Sequence, residues 1–330
     1  MSSFLVGLDD ESLAGLLQGS IAGKEGFGGR TTQLTVGEVR VFCKLIPLTI
    51  LEAQPENYKS IANLFQLPSY YQYGIGSVGF GAWRELAAHV LASDWVASGK
   101  QEQFPLTHHW RIVQIPGVAS VESEADEYLT HPAALGNDES AIRERLIALR
   151  ASTSHIAIFS EHFPQTLSDW LVEQLQGDLP STSAAISFTE EKAREAFDFM
   201  RSANFVHFDA HLSNILTDGV RLYFADFGLA MHDSFDLTQN ERRFLTNHAE
   251  YDTSRFASSL VHTICRAMPG EEGWSQKLSN LDLQAKSLPP PTIAALQKNA
   301  VVAKYMRQFA EVLINTNRHA IFTQPSQALL

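Results

Sequence analysis

The feature that most constrains the fold is a pair of polar clusters separated by a short stretch with the pattern of a hairpin. The first cluster contains Asp209 and Asn214, the second contains Asp226, and Asp218-Gly219 between them is typical of a tight turn. Such a turn brings the strand ends together, so three oxygen-bearing side chains should share one small volume. That volume suits a metal ion and a reacting group. As isolated residues, the aspartates also suit turns and Asn214 suits a cap.

Over residues 207–228 the chain contains H-x-D-x-x-x-x-N followed by D-F-G. This combination resembles the protein-kinase-like superfamily. By that resemblance, Asp209 orients the attacking hydroxyl group and accepts its proton, while Asn214 and Asp226 hold magnesium ions. His207 would brace the loop structurally. The resemblance therefore implies an enzyme that uses ATP and Mg²⁺ to phosphorylate a hydroxyl group.

Upstream, Lys44 occupies the place of the family's strand lysine, which contacts the phosphates of the nucleotide. A glycine loop precedes it and would cover those phosphates with backbone N–H groups. The loop glycines are Gly23, Gly26 and Gly28.

Phe42 departs from the family pattern, because a small residue usually stands two positions before this lysine. Either the adenine pocket has a different shape, or another lysine takes the role. The alternatives are Lys24 and Lys59.

The family pairs its strand lysine with a glutamate on a helix, and Glu85 lies on a helix predicted from Trp83 onward. The interval from Lys44 is longer than usual in the family, so residues 47–82 are interpreted as an insertion. Its glycine-rich stretch 74–81 could form a flap or an extra loop near the nucleotide. A plain surface position is the alternative for Glu85.

A short apolar run over residues 156–163 resembles the last strand of the small lobe leading into the hinge. The resemblance implies that backbone groups of Glu161 and Phe163 bind adenine. Leu216 would pack beneath the adenine ring.

The acceptor class is left open by the motif residues. Conventional protein kinases usually have a lysine or arginine two positions after the catalytic aspartate, whereas this chain has His211, as aminoglycoside, choline and haspin-like kinases do. The D-F-G triplet followed by Leu229-Ala230 favours a Ser/Thr protein kinase. No A-P-E triplet follows, and activation-loop phosphorylation is not evident. A small-molecule kinase and a pseudokinase acting as a binding module are the alternatives.

The order of predicted elements favours an α+β or two-lobed architecture. The resemblance implies that this is the bilobal protein-kinase-like fold, with an antiparallel-sheet N-lobe and a mainly helical C-lobe. We predict a nucleotide-binding lobe over 1–162 and a catalytic lobe over 163–330. In the second lobe, helices are expected over 167–176, 190–203, 251–268 and 293–315, with a Gly/Ser/Thr/Pro loop over 177–187. Asp252, near Arg255 and Phe256, would either anchor the catalytic loop or cap its helix.

Composition excludes several classes of function. The 330 residues carry a formal net charge of −12, which disfavours nucleic acid and anionic membranes as partners. An acidic surface could attract cationic partners such as basic peptides or aminoglycosides, although acidity also serves solubility. The two cysteines, Cys43 and Cys265, form no metal-binding pattern, and no apolar run approaches the ~20 residues that a bilayer requires. A cytoplasmic protein is the expectation.

Overall fold

The structure, a computed structural model, describes residues 2–18, 20–26, 29–75, 77–114, 139–279 and 288–324, with the backbone alone over 21–26 and at 139. The protein is a mixed α+β protein, which confirms the coarse fold class. Its chain divides into two compact units. The first comprises Met1–His162 and Phe227–Arg242, and the second comprises Phe163–Asp226 and Arg243–Leu330.

The first unit is built on a five-stranded antiparallel sheet with strand order β1-β2-β3-β5-β4. β3 is its central strand because it pairs with β2 on one side and β5 on the other. Six of its last seven residues are apolar, as expected for a buried strand. The strands are β1 (Ile21–Gly26), β2 (Gly29–Val36), β3 (Val39–Leu48), β4 (Thr107–Gln114) and β5 (Ser154–Glu161).

Helices cover both faces of this sheet and divide its core. Leu5, Leu13 and Leu17 of the first two helices pack against one face. Trp83 and Leu86 of the fourth helix belong to a second cluster with β3 and β5. The helices are α1 (Ser2–Gly7), α2 (Asp10–Gln18), α3 (Ile50–Ala53), α4 (Ala82–Ala97) and α5 (Glu139–Arg150). The unit also contains β10 (Met231–His232).

The predicted insertion over 47–82 forms a small core of its own. Its aromatic residues pack with three apolar residues of α5, which are spaced along one face of that helix. The core residues are Phe65, Leu67, Tyr71, Val78, Phe80, Ile142, Leu146 and Leu149. This part of the chain is therefore a folded element with its own hydrophobic packing.

The second unit is mainly helical and contains a three-stranded sheet of order β6-β8-β9. Its strands are short: β6 (Gln165–Thr166), β7 (Phe205–Val206), β8 (Ile215–Thr217) and β9 (Leu222–Phe224). The helices are α6 (Leu167–Gln174), α7 (Leu179–Ser202), α8 (Gln239–Asn247), which continues from the first unit, α9 (Tyr251–Ala267), α10 (Trp274–Ser279) and α11 (Pro290–Asn315).

One predicted loop is wrong, because residues 179–187 are the beginning of α7. Asp178 caps the helix by accepting the N–H of Ser181, and Pro180 lies in the first turn, where a missing N–H costs nothing. Further along α7, the side chains of Thr182 and Ile186 are buried. Tertiary burial thus stabilises a helix in a segment whose composition is typical of a loop.

None of the described helices is long and apolar enough to cross a bilayer.

Candidate active site

The residues of the predicted catalytic loop lie between β7 and β8 in the second unit. Its backbone is tightly folded, because the N–H of His211 donates to the Asp209 carbonyl and the N–H of Asn214 donates to the His211 carbonyl, both at 2.8 Å. These turns bring the Asn214 side chain back onto Asp209. The amide Nδ2 of Asn214 donates to the Asp209 carboxylate at 2.9 Å and to its backbone oxygen at 3.2 Å.

His207 connects this loop to the segment before Asp226. Its Nδ1 accepts the N–H of Asp209 at 3.3 Å, and its Nε2 lies 3.0 Å from the Ala225 carbonyl oxygen. One acceptor and one donor are the two roles of a neutral imidazole. The ring is fully buried, and burial lowers its pKa against the opposing effect of the two aspartates. A neutral His207 therefore fixes the backbone on either side of the candidate site.

Asp252 on α9 anchors the same loop from the other side. Its carboxylate accepts the backbone N–H groups of His207 at 2.7 Å and Phe208 at 2.8 Å. These bonds hold Phe208 in the left-handed region at φ 62°, a costly conformation for a residue with a side chain. Of the two roles open to Asp252, the structure shows the anchoring one. Phe208 itself is buried and stacks on Phe244 with 5.6 Å between ring centroids.

Two carboxylates in this region have pKa values displaced in opposite directions. Burial raises the pKa of Asp252 to about 7, against the lowering effect of its two N–H donors. For Asp209, burial also acts to raise the pKa, but His211 and Arg255 outweigh it and hold the value well below its usual range. His211 Nε2 lies 3.5 Å from one carboxylate oxygen and Arg255 Nη2 lies 3.2 Å from the other. Asp209 is therefore held as a carboxylate.

The β8–β9 hairpin places Asp226 beside Asn214. The N–H of Ala225 donates to the carbonyl of Asn214 at 3.0 Å, which fixes the residue before Asp226 against the end of the catalytic loop. Asp226 is exposed and has a φ of 64°, a second non-glycine residue in the left-handed region. Such conformations concentrate at functional sites. The structure thus brings Asp209, Asn214 and Asp226 into one region of the second unit.

The donor set fits a magnesium ion. Because Nδ2 of Asn214 is directed at Asp209, its Oδ1 remains as an oxygen ligand, and Asp226 contributes an exposed carboxylate. Mg²⁺ is commonly held by one or two protein oxygens together with phosphate and water. Within the described ranges, no group of three or more His, Cys, Asp or Glu side chains could form a metal site made of protein ligands alone.

Lys44 and Glu85 form an ion pair in the first unit. Lys44 Nζ lies 2.6 Å from Glu85 Oε1, and the exposed fractions of the two side chains are 6% and 5%. Lys44 lies on β3 opposite Thr31 and Ile158, and Glu85 lies in the first turn of α4. The structure therefore pairs the two residues across the long interval between them. Glu85 is a buried residue, not a surface glutamate.

The first turn of α4 is held by buried polar contacts from several directions. Glu52 accepts the N–H of Ala82 at 2.7 Å and is itself paired with Arg145 of α5 at 2.9 Å. Burial acts to raise the pKa of Glu52, but Arg145 and the Thr49 hydroxyl outweigh it and keep the value low. Arg84 forms a buried ion pair with Glu241 at 2.9 Å.

The insertion also contacts the residues that follow Asp226. Gln72 donates to the Leu229 carbonyl at 2.8 Å. Gly79 has a φ of 80°, and a Cβ there would lie 3.0 Å from the Gly228 carbonyl oxygen. The glycine-rich stretch 74–81 thus packs closely against the backbone of the D-F-G segment, where a side chain at Gly79 would not fit.

The remaining predicted nucleotide contacts are placed as follows. Gly23 and Gly26 lie in β1 and Gly26 pairs with Gly29, whereas Gly28 lies outside the described residues. The N–H of Glu161 donates to the Leu106 carbonyl at 3.0 Å, so this N–H does not serve adenine.

Phe163 stacks on Tyr223 at a centroid distance of 3.8 Å. Leu216 is half-buried in the middle strand of the small sheet, opposite Tyr223. Half-buried Phe42 lies on β3 opposite Gln33 and Ser160.

Of the two alternative lysines, Lys59 is exposed and lies over the Trp110 ring at 4.9 Å. The side chain of Lys24 lies outside the described part of the chain.

Sequence reasoning did not predict the contact of Arg255 with Asp209, or the buried contacts of Glu52 and Gln72. Arg255 follows Asp252 by three positions, and Ser259, whose hydroxyl accepts the Leu212 N–H at 3.0 Å, follows four positions later. This D-x-x-R-x-x-x-S spacing places all three on one helix face and was a usable signal. Nothing local marks Glu52 or Gln72, because their partners are distant in the sequence.

No family model matches the chain, and no curated protein sequence is similar to it.

Proposed function

We propose that the chain is an ATP- and magnesium-dependent phosphotransferase with a protein-kinase-like bilobal fold that phosphorylates a hydroxyl group, most simply that of a protein serine or threonine. The observation that carries this proposal is the Asp209 carboxylate, which Asn214 holds at 2.9 Å beside Asp226. Asp252 and His207 fix the loop that carries it. Unlike the buried anchor Asp252, the Asp209 side chain keeps an exposed fraction of 27%, so a substrate hydroxyl can reach its carboxylate.

In the proposed reaction, Asp209 binds the acceptor hydroxyl and directs its oxygen at the γ-phosphorus of ATP. The oxygen–phosphorus bond forms, the bond from the γ-phosphorus to the bridging oxygen breaks, ADP leaves, and the hydroxyl proton passes to Asp209. The low pKa of Asp209 makes it a weak base, which suits a loose transition state where positioning matters more than early deprotonation. Magnesium held by Asn214 and Asp226 would neutralise charge on the phosphates.

The ion pair of Lys44 and Glu85 supports the same proposal. A buried ammonium beside a fixed carboxylate is the kind of positive charge that nucleotide phosphates require. Glu85 fixes the position of that ammonium on β3. A pseudokinase would not require the intact set of Asp209, Asn214 and Asp226.

Two variants test the proposal because they should fail differently. Asp209→Asn should leave magnesium-dependent ATP binding nearly intact and lower turnover by about 10²–10⁴-fold, as expected for loss of a positioned acid–base group. Asp226→Asn should weaken the magnesium-dependent part of ATP binding. Calorimetric titration of ATP with and without magnesium, paired with a turnover assay on labelled ATP, measures both.

Asp178→Asn is the matched control, since asparagine also caps a helix well and Asp178 lies at the start of α7. It should behave as the parent in both assays. If Asp209→Asn and Asp226→Asn both bind and turn over like an active parent, the roles given to Asp209 and Asp226 are wrong. If the parent itself transfers no phosphate, the chain is not a phosphotransferase and the alternative of a pseudokinase acting as a binding module replaces it.

A further inference from the structure

A row of basic side chains begins at the candidate catalytic aspartate and follows one face of α9. Arg255, His262 and Arg266 are spaced by seven and four residues, which places them on the same side of the helix. Arg255 contacts Asp209, and Arg266 contacts Asp169 and the Ser168 hydroxyl, so contacts of 3.1–3.2 Å fix both ends of the row. Both arginines of the row are paired with an aspartate, so the row consists of fixed basic donors beside carboxylates.

Two further helices, α10 and α11, contribute side chains beside this row. His262 is exposed, and its ring centroid lies 4.3 Å from that of Trp274 on α10. The guanidinium of Arg307, on α11, lies over the same indole at 5.8 Å. The positive charges of Arg255 and Arg307 both act to lower the pKa of His262, after the larger effect of burial. The basic row is therefore a surface built by three helices.

Arg255 has donors to spare. A guanidinium carries five N–H groups, and Arg255 uses one nitrogen, Nη2, on Asp209. Its Nη1 and Nε donate to no other residue within the described part of the second unit, and its side chain is 32% exposed. Asp209 has an exposed fraction of 27%, so the carboxylate and the unused guanidinium donors open to the same solvent-facing side.

Arg255 should act differently on cationic, neutral and anionic acceptors. A cationic group placed against the unused donors of Arg255 would be repelled by the guanidinium charge. A neutral group would leave the spare donors to water. A carboxylate or phosphate would receive two parallel N–H donors, one from Nη1 or Nε and one from the second hydrogen of Nη2, the geometry that arginine recognises best.

We propose that Arg255 is a specificity-determining residue that selects acceptors bearing an anionic group close to the accepting hydroxyl. This inference rests on the proposed phosphotransferase activity and deepens it by naming the acceptor chemistry. It runs against the cationic substrates that the acidic composition suggested. Two kinds of acceptor carry an anionic group close to a hydroxyl: a peptide serine flanked by acidic residues, and a small hydroxy acid.

The test uses the full chain with two matched sets of acceptors. The first set contains three small molecules of nearly equal size: glycerate is anionic, glycerol is neutral and serinol is cationic. Serine peptides of one sequence carry flanking Glu, Ala or Lys. The parent should prefer the anionic member of at least one set by about tenfold or more in kcat/KM, the scale of a charged hydrogen bond. The set that shows this preference identifies the source.

Variants of Arg255 separate selection from simple positioning of Asp209. Arg255→Gln should reduce the anionic-to-neutral ratio of kcat/KM by about 10–100-fold, and Arg255→Lys should give an intermediate ratio because the charge remains without the fork. Arg194→Ala, at an exposed arginine of α7 that pairs with Asp198 at 3.7 Å, should leave the ratio unchanged. Thermal unfolding checks that each variant is folded. If Arg255→Gln does not fold, Arg255→Lys is used to measure the anionic-to-neutral ratio of kcat/KM.

The outcomes are distinguishable. A parent that uses neutral or cationic acceptors as well as anionic ones overturns the inference but leaves the phosphotransferase intact. An equal loss for all acceptors in Arg255→Gln also overturns it, since Arg255 then only positions Asp209. A parent with neither magnesium-dependent ATP hydrolysis nor transfer to any acceptor overturns the proposed function and this inference together.

Discussion

Breaking the buried ion pair between Lys44 and Glu85 should cost more stability than any change at a surface pair. At 2.6 Å and an effective dielectric constant of ~20, the Coulomb attraction is about 6 kcal/mol, and it offsets a desolvation cost of several kcal/mol for each ion. When one residue of the pair is replaced, the other still has the desolvation cost of its buried charge, but the Coulomb attraction between the two is lost. Lys44→Met and Glu85→Gln should therefore each lower the free energy of unfolding by about 3–5 kcal/mol.

The double variant Lys44→Met, Glu85→Leu should recover at least half of that loss, because it removes both buried charges together. Its ATP affinity should stay as low as that of Lys44→Met, since the phosphate-binding ammonium is gone. Urea unfolding followed by tryptophan fluorescence gives the stability, and calorimetry gives the affinity. The double variant should thus recover stability without recovering ATP affinity.

The exposed pair Lys192 and Glu195, at 2.9 Å with exposed fractions of 35% and 42%, provides the control. The same substitutions there should show a coupling free energy of about 0.2–1 kcal/mol. The reasoning is refuted if the single variants at Lys44 and Glu85 cost less than about 1 kcal/mol and the double variant costs their sum.

Three further changes test other parts of the structure. Burial lowers the pKa of His248 to about 4 from ~6.5 in the unfolded chain, so its contribution to stability is complete above pH ~6.5 and is lost as the pH falls through 4. Urea titrations from pH 4 to 7 should therefore show a flatter profile for His248→Phe, and an unchanged profile would contradict this. Gly79→Ala should lower the thermal midpoint more than Gly99→Ala, because both have positive φ but only the first Cβ would meet a carbonyl oxygen. Arg145→Leu should cost about 3–5 kcal/mol in urea unfolding, because it removes the cation that offsets the buried charge of the Glu52 carboxylate.

The sequence allowed prediction where the relevant contacts are local. The β8–β9 hairpin required only a turn at Asp218-Gly219, and it fixed the neighbourhood of Asn214 and Asp226 within a dozen residues. The pairing of Lys44 with Glu85 was predicted from chain order, although the interval was long. In both cases a strand or helix period limited where the side chain could lie.

Prediction failed where stability comes from distant packing or from pairs of charges. The 177–187 segment has the composition of a loop, and only the burial of Thr182 and Ile186 shows why it is helical. Arg255 meets Asp209 across 46 positions of sequence, a separation that no local pattern encodes. Its spacing from Asp252 was visible, but its partner was not.

The insertion explains why the position of Glu85 could not be derived from its own helix. Four consecutive residues at the start of α4 each bind a group outside the helix. Ala82 donates to the Glu52 carboxylate, Trp83 to the Glu52 carbonyl, Arg84 to Glu241, and Glu85 pairs with Lys44. Successive residues of a helix point in directions about 100° apart, so these bonds fix both its rotation and its axial position. The ammonium of Lys44 is therefore positioned through Glu85 by Glu52, a residue of the insertion that sequence analysis treated as an addition to the core fold.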